Sequence, residues 1–513
     1  MSKFFMRKNI FFPGIALLCA ISAYFLQVHM FLNGDVGSLL FDTRLFLKGG
    51  TYLNNFLETN PPMIFIIYSP VIFFEKWTAL NIVLVMRIYI ILTALFSIGL
   101  SNFLLKKIIK PSDDVLRYVI LLGLLFSFLL LPACEFGQRE HFFIMLVMPY
   151  LFTVVIAAQQ QKINKGLACL IAVMAALGIG MKPYFLAPFI LVELYLMVVR
   201  KNIFSGWRFL PLAIVSLLSI YLIWVFIGYP TYIYQMLPLI SDLYFISIKT
   251  SWSTFLANVS VSYCFFVAIA CLFIFNKIKK YRILVGVLLW AFIGMVVAVV
   301  IPRAGWYYHI LPAIILSVVL LLLYIFIIFS SNQKYVLKKD GYLALFVTMM
   351  VPLYIFLIAT HFGLAVKKHS YLNQLIAYIQ TEKKPPSIYC FSANTTGDCF
   401  TLVYSAHSVY AGRYPFFWWL QGLQLIEKKG KLPIQIKKDK KFLIDAVADD
   451  LDQNRPDWLI INTSDAKATL KNNFNFINYF SQNKKFYEAW KPYHYYKKVG
   501  VFAIYQRSDG NVS

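Results

Sequence analysis

Apolar runs of membrane-crossing length follow one another through the first two thirds of the chain, separated by short polar segments. Runs of the roughly 17–25 residues that a bilayer requires lie near 10–32, 83–105, 115–133, 142–159, 166–181, 183–199, 209–228, 258–275, 283–301, 310–330 and 342–362. They predict eleven spans. Met63 to Phe74 is apolar as well, but it covers only a dozen residues, follows Pro61-Pro62 and is interrupted by Pro70. Such a piece predicts an interfacial or re-entrant segment rather than a span. Beyond residue 366 the pattern changes. Ser387 to Phe391, Trp458 to Asn462 and Val499 to Gln506 read as strands, and Phe442 to Asn454 and Phe474 to Asn483 as helices. The expected architecture is a polytopic α-helical membrane domain over residues 1–366, with about 11 spans and its N-terminus inside, followed by an extracytoplasmic α/β domain over residues 367–513.

Composition agrees with this pattern and excludes other classes. The 513 residues are 60% hydrophobic and 14% charged, where a soluble domain is nearer half and a quarter. Ordinary soluble domains, disordered chains and coiled coils are excluded. The net charge of +25 suggests nucleic acid only until the basic residues are located. Residues 1–366 hold 27 Lys and Arg against 11 Asp and Glu, and 19 of the 27 fall in 1–9, 106–117, 160–166, 200–208, 276–282 and 332–340. These are the segments that would be cytoplasmic if the N-terminus is inside and 63–74 does not cross. Nucleic acid is therefore not an expected partner. The first apolar run reads as a retained signal-anchor. An odd number of spans places the C-terminal domain outside the cytoplasm. There Cys390 and Cys399 either pair across a short loop or stay as two thiols.

Acids are scarce in the membrane domain, so each one carries information. Asp35, Asp42, Glu58, Glu135, Glu140 and Asp242 fall on the outer side in this topology, and Glu193 lies within a span. Glu193 reads either as a functional acid or as a hydrogen-bonding partner within the bundle. Asp35 follows the first span, where a carboxylate meets both the headgroups and the water phase. It suits a general base acting on a hydroxyl or amine, or equally a helix cap. Leu39, Leu40, Leu45, Phe46 and Leu47 in the same loop suit a helix lying along the membrane surface. The second outer loop, Cys134-Glu135-Phe136-Gly137-Gln138-Arg139-Glu140-His141, is more polar than a turn requires. Arg139 and His141 suit a phosphate, and Glu135 or Glu140 suits an acceptor or a divalent metal. Arg303 and His309 bracket an aromatic stretch, Lys182 lies in Gly180-Met181-Lys182-Pro183-Tyr184, and Arg87 lies near the outer end of its run. These cations could together neutralise a lipid phosphate, or each could snorkel to the interface. Aromatic residues in Arg413 to Trp419 suit sugar stacking or core packing. No nucleotide-binding loop is present.

Asp35, the stretch Leu47-Lys48-Gly49-Gly50-Thr51-Tyr52 leading to Asn60-Pro61-Pro62, Arg87 and the loop Glu135 to His141 occur in an order that resembles the GT-C superfamily of integral-membrane glycosyltransferases. The likeness is to its bacterial branch, related to rhizobial lipopolysaccharide glycosyltransferases, to the aminoarabinose transferase of lipid A and to protein O-mannosyltransferases. It covers the first 200 residues and, more loosely, Arg303 to Pro312. The resemblance implies a protein of the bacterial cytoplasmic membrane. It implies a sugar on a polyprenyl phosphate, transferred with inversion at the outer face to an envelope lipid, glycan or protein acceptor. Asp35 would then be the general base. Arg139, His141, Lys182, Arg303 and His309 would hold the donor phosphate, and Arg87, Glu58 and Asp42 are further possible site residues without an assigned role. Val36 follows Asp35 where many relatives have a second acid, so metal dependence stays open. A polysaccharide polymerase or ligase, and a transporter or lipid flippase, stand as alternatives. The first would favour paired Arg residues in large outer loops, the second charged pairs near the midplane.

Overall fold

The computed structural model describes residues 2–276, 278–330, 372–393, 398–430, 432–463, 470 and 474–508. Its longer helices in the first 330 residues are α1 (Ser2–Val28), α2 (Gly34–Leu47), α3 (Met63–Thr78), α4 (Ile82–Ile108), α5 (Asp114–Leu129), α6 (Arg139–Ala158), α7 (Lys165–Gly180), α8 (Leu186–Arg200), α9 (Phe209–Gly228), α10 (Val259–Phe275), α11 (Arg282–Val300) and α12 (Tyr307–Ser330). All ten apolar runs within these residues are helical. The eleventh, 342–362, lies outside the described residues. Ile82–Ile108, Arg139–Ala158, Pro183–Arg200, Phe209–Gly228, Arg282–Val300 and Tyr307–Ile327 are long and apolar enough to cross a membrane, while Phe12–Val28, Lys165–Gly180 and Val259–Phe275 are shorter apolar helices. The chain is a multi-pass membrane protein. The apolar piece after Pro61-Pro62 is a regular helix, α3, that contains Pro70.

Two compact units divide the chain, and neither is continuous in sequence. One comprises Met1–Met30, Thr78–Ile223 and Thr250–Gly363, the other Phe31–Trp77, Trp224–Lys249 and Leu364–Ser513. The composition shift near 366 falls beside one of these boundaries. The first loop and the 224–249 segment, however, group with the C-terminal residues. In the first unit α8 packs closely on α11. A Cβ on Gly294 would lie 2.3 Å from Pro188 Cα, so only glycine admits this approach.

The second unit is built on a five-stranded sheet, ordered β2-β1-β3-β5-β4. Its strands are β1 (Ser387–Phe391), β2 (Val409–Tyr410), β3 (Trp458–Asn462), β4 (Tyr493–Val499) and β5 (Phe502–Arg507). β1 runs parallel to β2 and β3, whereas β5 pairs antiparallel with β3 and β4. The run expected as one strand from Val499 to Gln506 is in fact the end of β4, a turn and β5. Helices α13 (Asp398–Ser405), α14 (Trp418–Glu427), α15 (Ile434–Asn454), α16 (Phe476–Phe480) and α17 (Lys484–Trp490) accompany the sheet. α15 starts eight residues earlier than the apolar pattern at Phe442 suggests. Its first two turns are mostly exposed Lys, Gln and Asp, which carry helix propensity but no apolar stripe. Cys390 and Cys399 form a disulfide between β1 and α13.

Candidate active site

In the first unit, a buried ion pair organises the polar residues. Arg139 and Glu140 open α6, Lys182 precedes the turn Pro183–Phe185 that leads into α8, and His309 lies in the first turn of α12. Lys182 Nζ donates to Glu140 Oε1 at 2.6 Å, and His309 Nε2 lies 3.6 Å from the same oxygen. Glu140 is fully buried, and Lys182 and His309 nearly so. Three helix N-termini therefore converge on one point, which their dipoles make favourable to an anion. Aromatic rings line it. Lys182 Nζ sits 5.4 Å from the Tyr308 ring centroid and 5.5 Å from that of Tyr184, and the Arg139 guanidinium lies 5.4 Å from Tyr308. His309 packs against Trp306 and Tyr308. Two cations and one carboxylate meet here. Glu140 Oε2 and His309 Nδ1 are buried without a hydrogen-bond partner among the described residues.

Other candidates are used differently. His141 accepts from the Gly137 N–H at its Nδ1 and donates through Nε2 to the Phe128 carbonyl at 2.8 Å. Both ring nitrogens are committed to holding the loop, so the phosphate role expected for His141 is not available to it. Arg303 adopts a left-handed backbone (φ 47°), and its carbonyl accepts from the N–H and hydroxyl of Thr250. Its guanidinium lies 4.7 Å from the Trp252 ring centroid, a cation–π contact apart from the Glu140 pair. Arg87 donates to the Met30 carbonyl at 2.8 Å and so ties the exit of α1 to α4. Glu135 accepts the weak thiol hydrogen bond of Cys134. Glu193 accepts from Tyr150 at 2.6 Å and from Arg208 through both oxygens, at 2.7 and 2.6 Å. Its role is therefore the bundle-partner one.

In the second unit the first loop is firmly held. Asn33 caps α2 by accepting the Asp35 N–H at 2.9 Å. The cap role is thus filled by Asn33, and Asp35, 7% exposed, lies in the first turn, where the helix dipole favours its anion. The first half of the apolar face of α2 is taken up by protein, while Leu47 at its end is exposed. Val36, Leu39 and Leu40 are fully buried, and Phe41 meets the Phe400 and Tyr410 rings at 5.1 and 5.5 Å. Thr401 donates to the Leu32 carbonyl, Tyr414 to that of Leu53 and Trp418 to that of Leu57, at 2.9, 2.7 and 2.9 Å. The aromatic stretch Arg413 to Trp419 is therefore core that clasps the loop. Asp42 and Glu58 are both buried. Glu58 accepts from the backbone and side-chain amides of Asn60, and burial, then the neighbouring Glu58, pushes the Asp42 carboxyl well above its usual range. The shift favours the neutral form of Asp42. Among the described residues, no group of three or more His, Cys, Asp or Glu side chains could hold a metal ion.

Sequence reasoning overlooked Tyr184 and Tyr308 as parts of the cationic site and Asn33 as the cap. Their signal was adjacency: each tyrosine lies within two residues of a candidate cation or His, and Asn33 stands two before Asp35.

No family model matches the chain, and no curated protein is similar to it in sequence. Solved structures are similar in fold. ArnT from Cupriavidus metallidurans, bound to undecaprenyl phosphate, aligns over 98% of each chain with a TM-score of 0.57 and 13% identity. The oligosaccharyltransferase AglB from Archaeoglobus fulgidus, in complex with an inhibitory peptide and a dolichol-phosphate, aligns over 99% of this chain and 75% of its own, with a TM-score of 0.43 and 10% identity. The chain has the fold of ArnT.

Proposed function

We propose that the protein is an inverting membrane glycosyltransferase. It moves a sugar from a polyprenyl-phosphate carrier to a lipid, glycan or protein acceptor of the bacterial envelope, at the outer face of the cytoplasmic membrane. The observation that carries this reading is the buried cluster of Lys182, Glu140, Arg139 and His309 at three helix N-termini, in a fold shared over 98% of its length with a protein solved bound to undecaprenyl phosphate.

The chemistry asks for two things. As the bond between the anomeric carbon and the phosphate oxygen breaks, negative charge grows on the departing polyprenyl phosphate. Lys182 and Arg139 supply fixed positive charge there, in a buried setting where such charge counts for more than in water. Glu140 holds the Lys182 ammonium in place before substrate arrives, so little reorganisation is needed at the moment of transfer. The acceptor must also lose a proton as its oxygen or nitrogen bonds to the anomeric carbon from the opposite side. Asp35 takes that proton as general base. We assign Arg303 and His141 to holding their loops.

Transfer assays with radiolabelled polyprenyl-phosphate sugars, in membranes containing wild type or Asp35→Asn, test the reading. Asp35→Asn is expected to insert and fold normally and to lose at least about 100-fold in turnover, as befits a general base. Undiminished turnover would remove Asp35 from that role. No transfer by wild type from any such donor, together with altered solute uptake, would favour the transporter.

A further inference from the structure

At the far end of the same bundle lies a second cationic feature that the transfer reaction does not use. α6 runs 20 residues from Arg139 to Ala158, about 30 Å at the usual helical rise, so its C-terminal end is far from Glu140. Around that end, the turn into α7, the last residue of α8 and the start of α9 enclose a cavity of about 400 Å³. Lys162, Lys165, Arg200 and Arg208 line it together with Gln160 and Gln161, and no Asp or Glu does.

The charges here are not balanced. Arg208 is neutralised by Glu193, which grips it through both oxygens. Lys162, Lys165 and Arg200 make no ion pair among the described residues, which leaves three uncompensated cations around one concavity. Two helix N-termini, of α7 and α9, open at the same place, and neither carries an acid in its first turn. A basic residue at a helix N-terminus opposes the dipole, so Lys165 at the head of α7 is unfavourable to the helix itself. An anion in the cavity reverses that penalty. Beside it, the turn between α8 and α9 presents Ile203, Phe204 and Trp207 at 72, 68 and 74% exposure. This apolar surface suits lipid chains and the headgroup boundary.

We infer that this cavity binds the phosphodiester headgroup of an anionic phospholipid, with Lys162, Lys165 and Arg200 as its counter-charges and the Glu193–Arg208 pair as a rigid wall. Basic pockets between transmembrane helices are recurrent sites for such headgroups. A positive-inside bias alone would scatter these cations over exposed loops. Here they border one cavity, with acyl-compatible surface next to it.

Native mass spectrometry and thermal unfolding of the full-length protein in neutral detergent test the inference. The probes are phosphatidylglycerol, phosphatidylcholine and inorganic phosphate. Phosphatidylglycerol is expected to remain bound and to raise the unfolding temperature, while phosphatidylcholine does neither. Each charge removed should weaken phosphatidylglycerol binding roughly fivefold, so the triple variant Lys162→Gln, Lys165→Gln, Arg200→Gln loses on the order of 100-fold. The double variant Lys162→Gln, Lys165→Gln alters only exposed side chains and should show an intermediate loss, even if the triple variant folds poorly. Equal phosphatidylglycerol binding by wild type and the double variant would overturn the proposal. So would an equal shift from inorganic phosphate at the same concentration, which would make this a free-anion site.

Discussion

Asp42 shows how one buried residue fixes what its neighbours can do. Its carboxyl is 1% exposed, lies near Glu58, and is raised well above the ordinary range, first by burial and then by that neighbour. The tyrosines that face it, Tyr404 and Tyr410, are themselves pushed upward by burial and bring no positive charge. In the unfolded chain the same carboxyl titrates near about 3.9. Below that pH both states hold the proton and stability is unaffected. Above it the unfolded chain releases the proton and the folded one does not, so stability falls as pH rises toward the folded value, by up to about 1.4 kcal/mol per pH unit. Asp42→Asn is therefore expected to flatten the decline of unfolding temperature between pH 5 and 8, measured by circular dichroism in detergent. Parallel profiles for the two proteins would mean that Asp42 carries no extra proton. Such a role is not visible in sequence, because Asp35 and Asp42 are the same residue type in one loop and differ only in what surrounds them. Glu140 and Lys182 could be singled out because charges are scarce near spans. That His141 would be spent on the Gly137 and Phe128 backbone could not be foreseen, since the partners are main-chain atoms that carry no residue signature.

Among elements, the contact between α2 and α13 decides how Asp35 is presented. Gly37 lies one helical position beyond Val36 and faces α13 so closely that a Cβ there would sit 2.9 Å from Phe400 Cβ and 3.3 Å from the Tyr404 ring. The first of these is an atom next to the backbone, which cannot rotate away. Gly37→Ala should therefore push the two helices apart, at the ~1–3 kcal/mol typical of overpacking, against a smaller gain in helix propensity. The expected outcome is a lower unfolding temperature together with reduced transfer, because the same shift moves the first turn of α2. A variant as stable and active as wild type would show that the contact has slack. The long apolar helices, α15, α16, β1 and β3 were legible in the sequence, and β5 only as one run with the end of β4, whereas α13, α14 and α17 were not singled out. β2, with two residues, and β4, with His, Lys and Tyr along an exposed face, carry too little apolar pattern to stand out. The association of residues 31–77 with the C-terminal portion was hidden for another reason. It rests on the packing of α2 against α13 and on hydrogen bonds from Thr401, Tyr414 and Trp418 to loop carbonyls more than 350 residues away in sequence, and composition along the chain holds no trace of these contacts.

For the whole molecule, the proposed orientation draws on two features of the chain and on the proposed reaction. The bias of 19 basic residues against eight favours the 160–166 and 200–208 segments inside. The Cys390–Cys399 disulfide belongs in an oxidising compartment, because cytosolic thiols are kept reduced. The proposed reaction consumes a lipid-linked donor at the outer leaflet, so Glu140 and Lys182, at the end of α6 opposite Gln161, should face outward. Each feature fixes a different part of the chain, so an error in one would appear as a conflict between them. Labelling intact cells with a membrane-impermeant maleimide separates the cases. A cysteine introduced by Gln161→Cys, in the exposed turn after α6, is expected to react only after permeabilisation. Cys390 and Cys399 are expected to resist alkylation until a reductant is added, and then to react in intact cells. Labelling of Gln161→Cys from outside would invert the bundle and place the cationic cavity on the wrong leaflet for the cytoplasmic anionic lipids. Reaction of Cys390 and Cys399 without reductant, and only after lysis, would put the sheet domain in the cytosol, where Asp35 could not meet an acceptor at the outer face.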